Sequence, residues 1–294
     1  MQLRAALRQG LKTLLEHQVP SAQLAAELLL MHVLARDRAF LHTHPEMELP
    51  DELTERYFRL LAERTTGKPT QYITGHQEFW GLDFEVTPDV LIPRPETEHV
   101  VEQVIELAAR QRLSRDARLR IVDVGTGSGC IALALASEFP HAIIFGADIS
   151  RLALVVASRN ALRLRLPERI KFLESDLLAR FLDQDFLGSF DFVVSNPPYV
   201  GKDEVEMVQR EVREFEPQVA WGGLEHGDQI YSRLFPQALQ ALRPGGYVVV
   251  EIGYNMRERV LARLGRAWEE VEVRPDLAGI PRVISARKPA GRRH

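Results

Sequence analysis

From residue 96 onward the chain alternates helical stretches with short apolar runs, and that alternation constrains the fold more than any other feature. Helical patterning over 96–112, 152–162 and 229–242 separates apolar runs at Arg120–Val124, Ala142–Ala147, Ile170–Leu173, Phe190–Ser195 and Tyr247–Ile252. A helix begins near Gly129, another covers Arg257–Leu264, and strands are predicted near Val271 and Val283. Short runs rich in Val, Ile and Phe suit strands buried on both faces, and helices between them imply a mainly parallel, doubly covered sheet. The expected fold class is α/β and Rossmann-like. Such sheets bind ligands at the carboxyl ends of their strands, beside the point where strand order reverses.

The first third reads differently. Leu3, Leu7, Leu11 and Leu14 recur at helical spacing, a second helix starts at Pro20-Ser21 with Leu24, Leu28 and Met31 on one side, and a third starts at Pro50-Asp51. These stripes are expected to face a small helical core. Phe79-Trp80 and Leu82–Val86 flank Gly81 in a strand-turn-strand pattern, followed by stiffening prolines at 88, 93 and 95. The expected division is a helical domain over 1–74, a β-hairpin linker over 75–95 and an α/β domain over 96–294.

No apolar run reaches the ~20 residues that span a bilayer, and no basic-then-apolar leader opens the chain, so a cytoplasmic protein without membrane association is expected. The single cysteine, Cys130, allows no internal disulfide. The formal charge of −4 comes without a basic stripe, which argues against a phosphate-gripping nucleic-acid surface. The one basic cluster, Arg287 to His294, reads as a disordered end.

The first strand of the α/β region runs into Asp123-Val124-Gly125-Thr126-Gly127-Ser128-Gly129 and straight on into a helix. Glycines let the chain turn sharply and let a ligand approach the backbone. Dinucleotide enzymes use a similar turn, but two details favour S-adenosylmethionine. The spacing is Gly-x-Gly-x-Gly, and an acid, Asp176, follows the third strand in addition to Asp148 at the end of the second. Asp148 can accept from both ribose hydroxyls. Asp176 can accept from an adenine amino group while Leu177 packs on the ring. Capping of the next helix is the structural alternative for Asp148, and Ser150 could fill that post.

The fourth strand ends in Asn196-Pro197-Pro198-Tyr199. Consecutive prolines make a stiff turn whose carbonyls need outside donors. The Asn196 side-chain oxygen and the Pro197 carbonyl can together accept both hydrogens of one planar NH2 group, with the Tyr199 face against it. A conjugated nitrogen is a poor nucleophile, and accepting its hydrogens returns electron density to it and aims its lone pair at the methyl donor. A glutamine amide and the amine of adenine both fit such a notch.

Here the chain resembles the release-factor glutamine methyltransferase family, from near its start to about residue 286. The resemblance rests on 67–75, Leu91-Ile92-Pro93-Arg94-Pro95-Glu96-Thr97-Glu98, the glycine loop and Asn196–Tyr199, with Glu211-Val212-Arg213, Glu216-Pro217, Gly222-Gly223 and 276–279 in support. It implies a seven-stranded methyltransferase sheet, a small all-helical N-terminal domain that helps grip the substrate, and a β-hairpin connector. It also implies N5-methylation of the glutamine in the Gly-Gly-Gln motif of class I release factors, and the enzyme is expected to be a monomer. Cofactor contacts are then expected from Gly125, Thr126, Gly127, Ser128, Gly129, Asp148, Asp176, Leu177 and Asn196, and catalytic and substrate contacts from Asn196, Pro197, Pro198 and Tyr199. No metal is expected. Ribosomal-protein glutamine methylation and adenine N6-methylation are the alternative activities. Ile280-Pro281 and Trp221 depart from the family's usual residues.

Four further features have plainer readings. His42-x-His44 reads as a surface loop, since no cluster completes a zinc site. Cys130 reads as a small buried residue and Trp80 as hairpin packing. Arg94, Glu96 and Thr97 fit either a pocket border or a capped helix start.

Overall fold

The computed structural model describes residues 1–291. They form two compact units, Met1–His76 with Gln209–Phe215, and Gln77–Val208 with the residues from Glu216 onward.

The first unit is helical, with α1 Leu3–Glu16, α2 Ala22–Leu34, α3 Arg38–Thr43, α4 Asp51–Thr65 and α5 Thr70–Thr74. Leu3, Leu14, Leu29, Leu30, Tyr57 and Leu61 are fully buried at its centre. Gly10 sits in mid-helix because Tyr57 needs the space: a Cβ there would lie 2.2 Å from the phenol oxygen. That hydroxyl donates to the Ala26 carbonyl at 3.2 Å. The buried face of α2 is Ala22, Ala25, Ala26, Leu29, Leu30 and Val33, while Leu24 is exposed. The predicted Leu24–Leu28–Met31 side is therefore wrong, since small alanines let the neighbouring helices approach more closely than leucines would. His42 and His44 lie in and just after α3 and not in a loop. His42 faces the Glu27 carboxylate at 3.7 Å and His44 stacks on Phe40.

The second unit opens with a hairpin, β1 His76–Phe79 and β2 Leu82–Glu85. Trp80 and Gly81 have φ of +56° and +69°, the signature of a two-residue type I′ turn. Trp80 is held in this costly conformation by Glu98, which accepts its backbone N–H at 2.7 Å, and by Glu138, which accepts the indole N–H at 3.0 Å.

Next come α6 Glu98–Arg110, β3 Arg120–Val124, α7 Cys130–Glu138, β4 Ile143–Asp148, α8 Arg151–Arg163, β5 Ile170–Glu174 and β6 Phe190–Ser195. The short β7 Val200–Gly201, α10 Gln218–Trp221 and β8 Gly222–Leu224 follow, while α9 Arg210–Phe215, between β7 and α10 in the chain, belongs to the first unit. The chain ends with α11 Gln229–Ala241, β9 Leu242–Glu251, α12 Arg257–Leu264, β10 Glu269–Pro275 and β11 Pro281–Arg287. Seven strands form one sheet in the order β10-β11-β9-β6-β3-β4-β5. It is parallel from β9 to β5, and β11 runs against both of its neighbours.

The apolar runs are buried on both faces, as their composition requires. Ile121, Phe192, Val194 and Val249 pack with α6 and α7 on one side, and Val122, Val193, Val248 and Val250 pack with α11 and α12 on the other. Strand β9 begins earlier than the sequence suggested, at Leu242. Gly246 allows this: a Cβ there would lie 2.9 Å from the carbonyl oxygens of Phe190 and Asp191 on β6. The basic tail also starts as ordered structure, not as a loose end. Arg287 closes β11 and pairs with Glu270, and Lys288 donates to the Leu242 carbonyl. The rest of that cluster, from 292 on, lies outside the described residues. No helix among the described residues is long and apolar enough to cross a membrane.

Candidate functional site

Strand order reverses beside β3: the chain passes from β3 outward to β4 and β5, then returns to β6 on the other side. A cleft opens at the carboxyl ends of these strands, lined by Val124 to Ser128, Asp148 to Ser150, Ser175 to Leu177, Asn196 and Pro198. Its lining also includes Val90, Leu91, Pro93, Arg94 and Thr97, together with Gly222 to Leu224 and Arg233.

The glycine loop is shaped by Gly125, Gly127 and Gly129, with φ of +72°, +54° and +84°. A Cβ on Gly127 would meet no protein atom within 4 Å, so only hydrogen separates this stretch of backbone from the cleft. Beneath the loop, Thr126 donates to the buried Asp123 carboxylate at 2.7 Å. Burial pushes the Asp123 carboxyl up to about 7. Asn160 on α8 pins the loop to the hairpin: its amide oxygen accepts from Glu85 N–H at 2.7 Å, and its nitrogen donates to the carbonyls of Glu85 and Ser128. Gly129 holds the N-cap position of α7. Cys130, the first residue of that helix, is half-buried, and burial pushes its thiol up to about 12. A helix start can lower a thiol pKa, but desolvation outweighs that effect here.

Asp148 accepts from Gly127 N–H and from Ser150 N–H, each at 2.9 Å. Ser150, not Asp148, caps α8, accepting from Ala153 N–H at 3.2 Å. Burial raises the Asp148 carboxyl, and the two backbone donors oppose that rise. An ionised carboxylate has about four acceptor positions, and its backbone donors do not fill them all. Asp176 is half-exposed and paired with Arg233 at 2.5 Å. Leu177 beside it has φ +52°, a strained conformation for a branched side chain that turns up at ligand sites.

Asn196 and Pro198 line the cleft, while Pro197 is buried and Tyr199 stands behind the lining. The Tyr199 ring lies against Gly253, where a Cβ would come 2.7 Å from its Cδ2. Burial pushes its phenol well above the usual value. The strand leaving the tetrad, β7, pairs in parallel with β8 through Val200 and Gly222. This places Gly227 so close that a Cβ would lie 2.0 Å from the Tyr199 carbonyl oxygen.

The sequence left Arg94, Glu96 and Thr97 between a pocket border and a capped helix start, and Arg94 and Thr97 line the cleft. Thr97 occupies the N-cap position of α6 but makes no cap bond. It donates instead to the buried Glu251 carboxylate at 2.6 Å and accepts from Asn196 Nδ2 at 3.0 Å. Arg94 lines the cleft, and Glu96 does not. Glu216 holds the approach to α6 in place, accepting from Ile92 N–H at 3.1 Å and from Arg94 at 2.5 Å. Trp221 is buried and its indole donates to the Glu216 carbonyl. In the loop around Ile280-Pro281, Asp276 accepts from the N–H groups of Ala278 and Ile280 and pairs with Arg282. No group of residues suited to hold a metal ion occurs among the described residues.

Comparison with known proteins agrees with this architecture. The family model for the PrmC N-terminal domain matches residues 5–75, and that for the methyltransferase small domain matches 107–223. The chain is 49% identical to a release factor glutamine methyltransferase of Koribacter versatilis, over 98% of this chain and 99% of the relative. A protein of the same name from Nitratidesulfovibrio vulgaris is 38% identical, over 97% of this chain and 95% of its own. Among solved structures, the catalytic domain of human Mettl16, in complex with the MAT2A 3'UTR hairpin 6, has a TM-score of 0.55 at 17% identity. It covers 80% of this chain and 83% of its own, a likeness of fold alone. At this identity and coverage the chain belongs to the release factor glutamine methyltransferases, which are S-adenosylmethionine-dependent enzymes.

Proposed function

We propose that this protein transfers a methyl group from S-adenosylmethionine to the side-chain amide nitrogen, N5, of the glutamine in the Gly-Gly-Gln motif of class I release factors. The observation that carries the reading is the Asn196-Pro197-Pro198-Tyr199 turn at the end of β6, whose Asn196 and Pro198 line the same cleft as the left-handed glycine loop. The cleft suits the methyl donor. Gly127 leaves backbone bare, and Asp148 keeps acceptor positions free for ribose hydroxyls. Asp176 and Leu177 border the adenine end.

When bound, the sulfonium supplies an activated methyl, so the protein needs no strong base. Its own task is orientation. The Asn196 oxygen and the Pro197 carbonyl accept the two amide hydrogens, turning the nitrogen lone pair toward the donor. Tyr199 backs this notch, and Pro198 walls it. Holding a near-attack geometry in a dry pocket supplies about 7–11 kcal/mol of the barrier.

We assign the helical domain of residues 1–74 to gripping the release factor, and expect a cytoplasmic monomer that needs no nucleic acid. The formal charge of −4 and scattered cations support the last point. The test is mass spectrometry of a purified release factor incubated with enzyme and methyl donor, beside its Gly-Gly-Gln→Gly-Gly-Ala variant. One added methyl on the glutamine, absent from the variant, is expected. Label on adenine and none on the protein would refute the substrate.

A further inference from the structure

The Asn196 amide does not sit in the cleft unsupported. Its nitrogen donates to Thr97 Oγ1 at 3.0 Å, and that hydroxyl donates to Glu251 Oε2 at 2.6 Å. Thr97 and Glu251 are both almost fully buried. A hydroxyl has one proton to give, and an ionised carboxylate can only accept. Once Thr97 has given its proton to Glu251, its oxygen can only receive, and within Asn196 only the nitrogen donates. The two ends of an asparagine amide have nearly the same shape, so hydrogen bonding alone decides which way it faces.

We propose that Thr97 and Glu251 are positioning residues that fix the polarity of the Asn196 amide, committing its nitrogen inward and leaving its oxygen to accept from the substrate. The proposal rests on the function given above, where that oxygen receives a hydrogen of the glutamine NH2. A reversed amide would meet the substrate donor to donor. Reversal becomes possible when Glu251 takes up a proton, because its carboxyl can then donate to Thr97, and Thr97 to the Asn196 oxygen.

The groups that act on Glu251 come from several elements. Arg282 of β11 and Arg94 before α6 favour its charged form, and Glu96 opposes it. Tyr199 and Cys130 lie within electrostatic reach of it, and Tyr231 on α11 donates to its backbone carbonyl at 2.7 Å. Burial outweighs the cations and pushes the carboxyl up to about 7, so the polarity of the chain of bonds can change within the working pH range.

The test uses the full chain with release factor and methyl donor. Thr97→Val, which keeps the shape and loses the hydroxyl, should lower kcat by about 10–100-fold, as expected for a reacting group out of position. KM and the calorimetric Kd of the methyl donor should stay within about twofold. Thr97→Ser should recover most of the loss. Glu251→Gln should abolish the acid limb of the kcat profile near pH 7 that the wild type is expected to show. A second readout needs no turnover: the side-chain NH2 resonances of Asn196, assigned by their loss in Asn196→Ala, should titrate in the wild type and stop titrating in Thr97→Val. Wild-type kcat in Thr97→Val, or the same NH2 titration in that variant, would overturn the proposal. If the wild type leaves release factor unmethylated, the substrate assignment fails, while the resonance experiment still decides the polarity of the amide.

Discussion

Gly227→Ala isolates the seat of the tetrad from its chemistry. The glycine contributes no side chain to the cleft lining, and its φ is unexceptional, so alanine brings neither a lost contact nor left-handed strain. What it brings is a methyl group 2.0 Å from the Tyr199 carbonyl oxygen and 2.9 Å from its carbon. Ordinary contact begins near 3.4 Å, so the two segments must part by about 1.4 Å. Glu204 Oε2 stands 3.2 Å from the same point, which narrows the room for escape. The obstacle is backbone held by the β7–β8 pairing, not the end of a flexible chain. Overpacking of this kind costs about 1–3 kcal/mol of stability, and a shift of about 1 Å at reacting groups can cost about 100-fold in rate. Methyl transfer to release factor should therefore fall by about two orders of magnitude, with folding largely retained by thermal melt. Gly253→Ala provides a graded partner. Its Cβ would touch the edge of the Tyr199 ring at 2.7 Å, which can tilt, so its loss should be smaller. Wild-type kcat in Gly227→Ala, or a reversed order of the two variants, would refute a role for close backbone approach in seating the tetrad.

Other substitutions separate binding, chemistry and stability. Asp148→Ala removes the proposed ribose acceptor and the anchor of Gly127 and Ser150, and should raise the methyl-donor Kd by about tenfold or more, since charged hydrogen bonds contribute about 1.5–3 kcal/mol; calorimetry at wild-type affinity would count against it. Asn196→Ala should cost about 2–4 kcal/mol in kcat, like other oriented transition-state hydrogen bonds, while leaving donor affinity largely intact. Asn160→Leu strands three backbone partners on the hairpin and glycine loop, and should cost about 3 kcal/mol and several degrees of Tm, read by calorimetric melting. Glu251 is an acid whose carboxyl is raised from 4.5 to about 7, so its folded form holds a proton the unfolded chain has released. Stability should therefore fall as pH rises from about 4.5 to 7, by about 3 kcal/mol from this group. Urea unfolding of Glu251→Gln at pH 5 and 8 should show a smaller difference than the wild type.

The sheet was legible because its strands are buried on two faces, and continuous apolar runs such as Phe190–Ser195 have few other homes. Strand β3 and α12 fall at the residues their patterns predict. The short helices α3 and α5 escaped because each is only a turn or two long, too short for a period to show. The core face of α2 was misjudged because alanines, not the larger leucines, meet the neighbouring helices. Residues 200–228 could not be resolved either, since their shape depends on Gly222 and Gly227 meeting backbone far along the chain. The glycine loop and the tetrad were visible because each is a compact motif. The bond from Thr97 to Glu251 was not, since the two meet across 154 residues of sequence, and neither residue type in isolation announces a partner.

That contrast reflects how the site is built. The motifs at the strand ends provide the atoms that face a ligand, but a glycine loop or a proline turn leaves its own orientation underdetermined. Orientation is supplied by residues remote in sequence: Asn160 for the loop, Glu216 for the approach to α6, Gly227 and Gly253 for Tyr199, and Thr97 with Glu251 for Asn196. Each acts by a short-range constraint, either a hydrogen bond with one allowed direction or a contact too close for a Cβ. Such constraints are steep in distance, so small displacements forfeit most of their effect. Substitutions in the part of this layer that stands behind Asn196 and Tyr199 should therefore act on rate more than on cofactor binding, because an amide that faces the wrong way can still border a well-formed cleft.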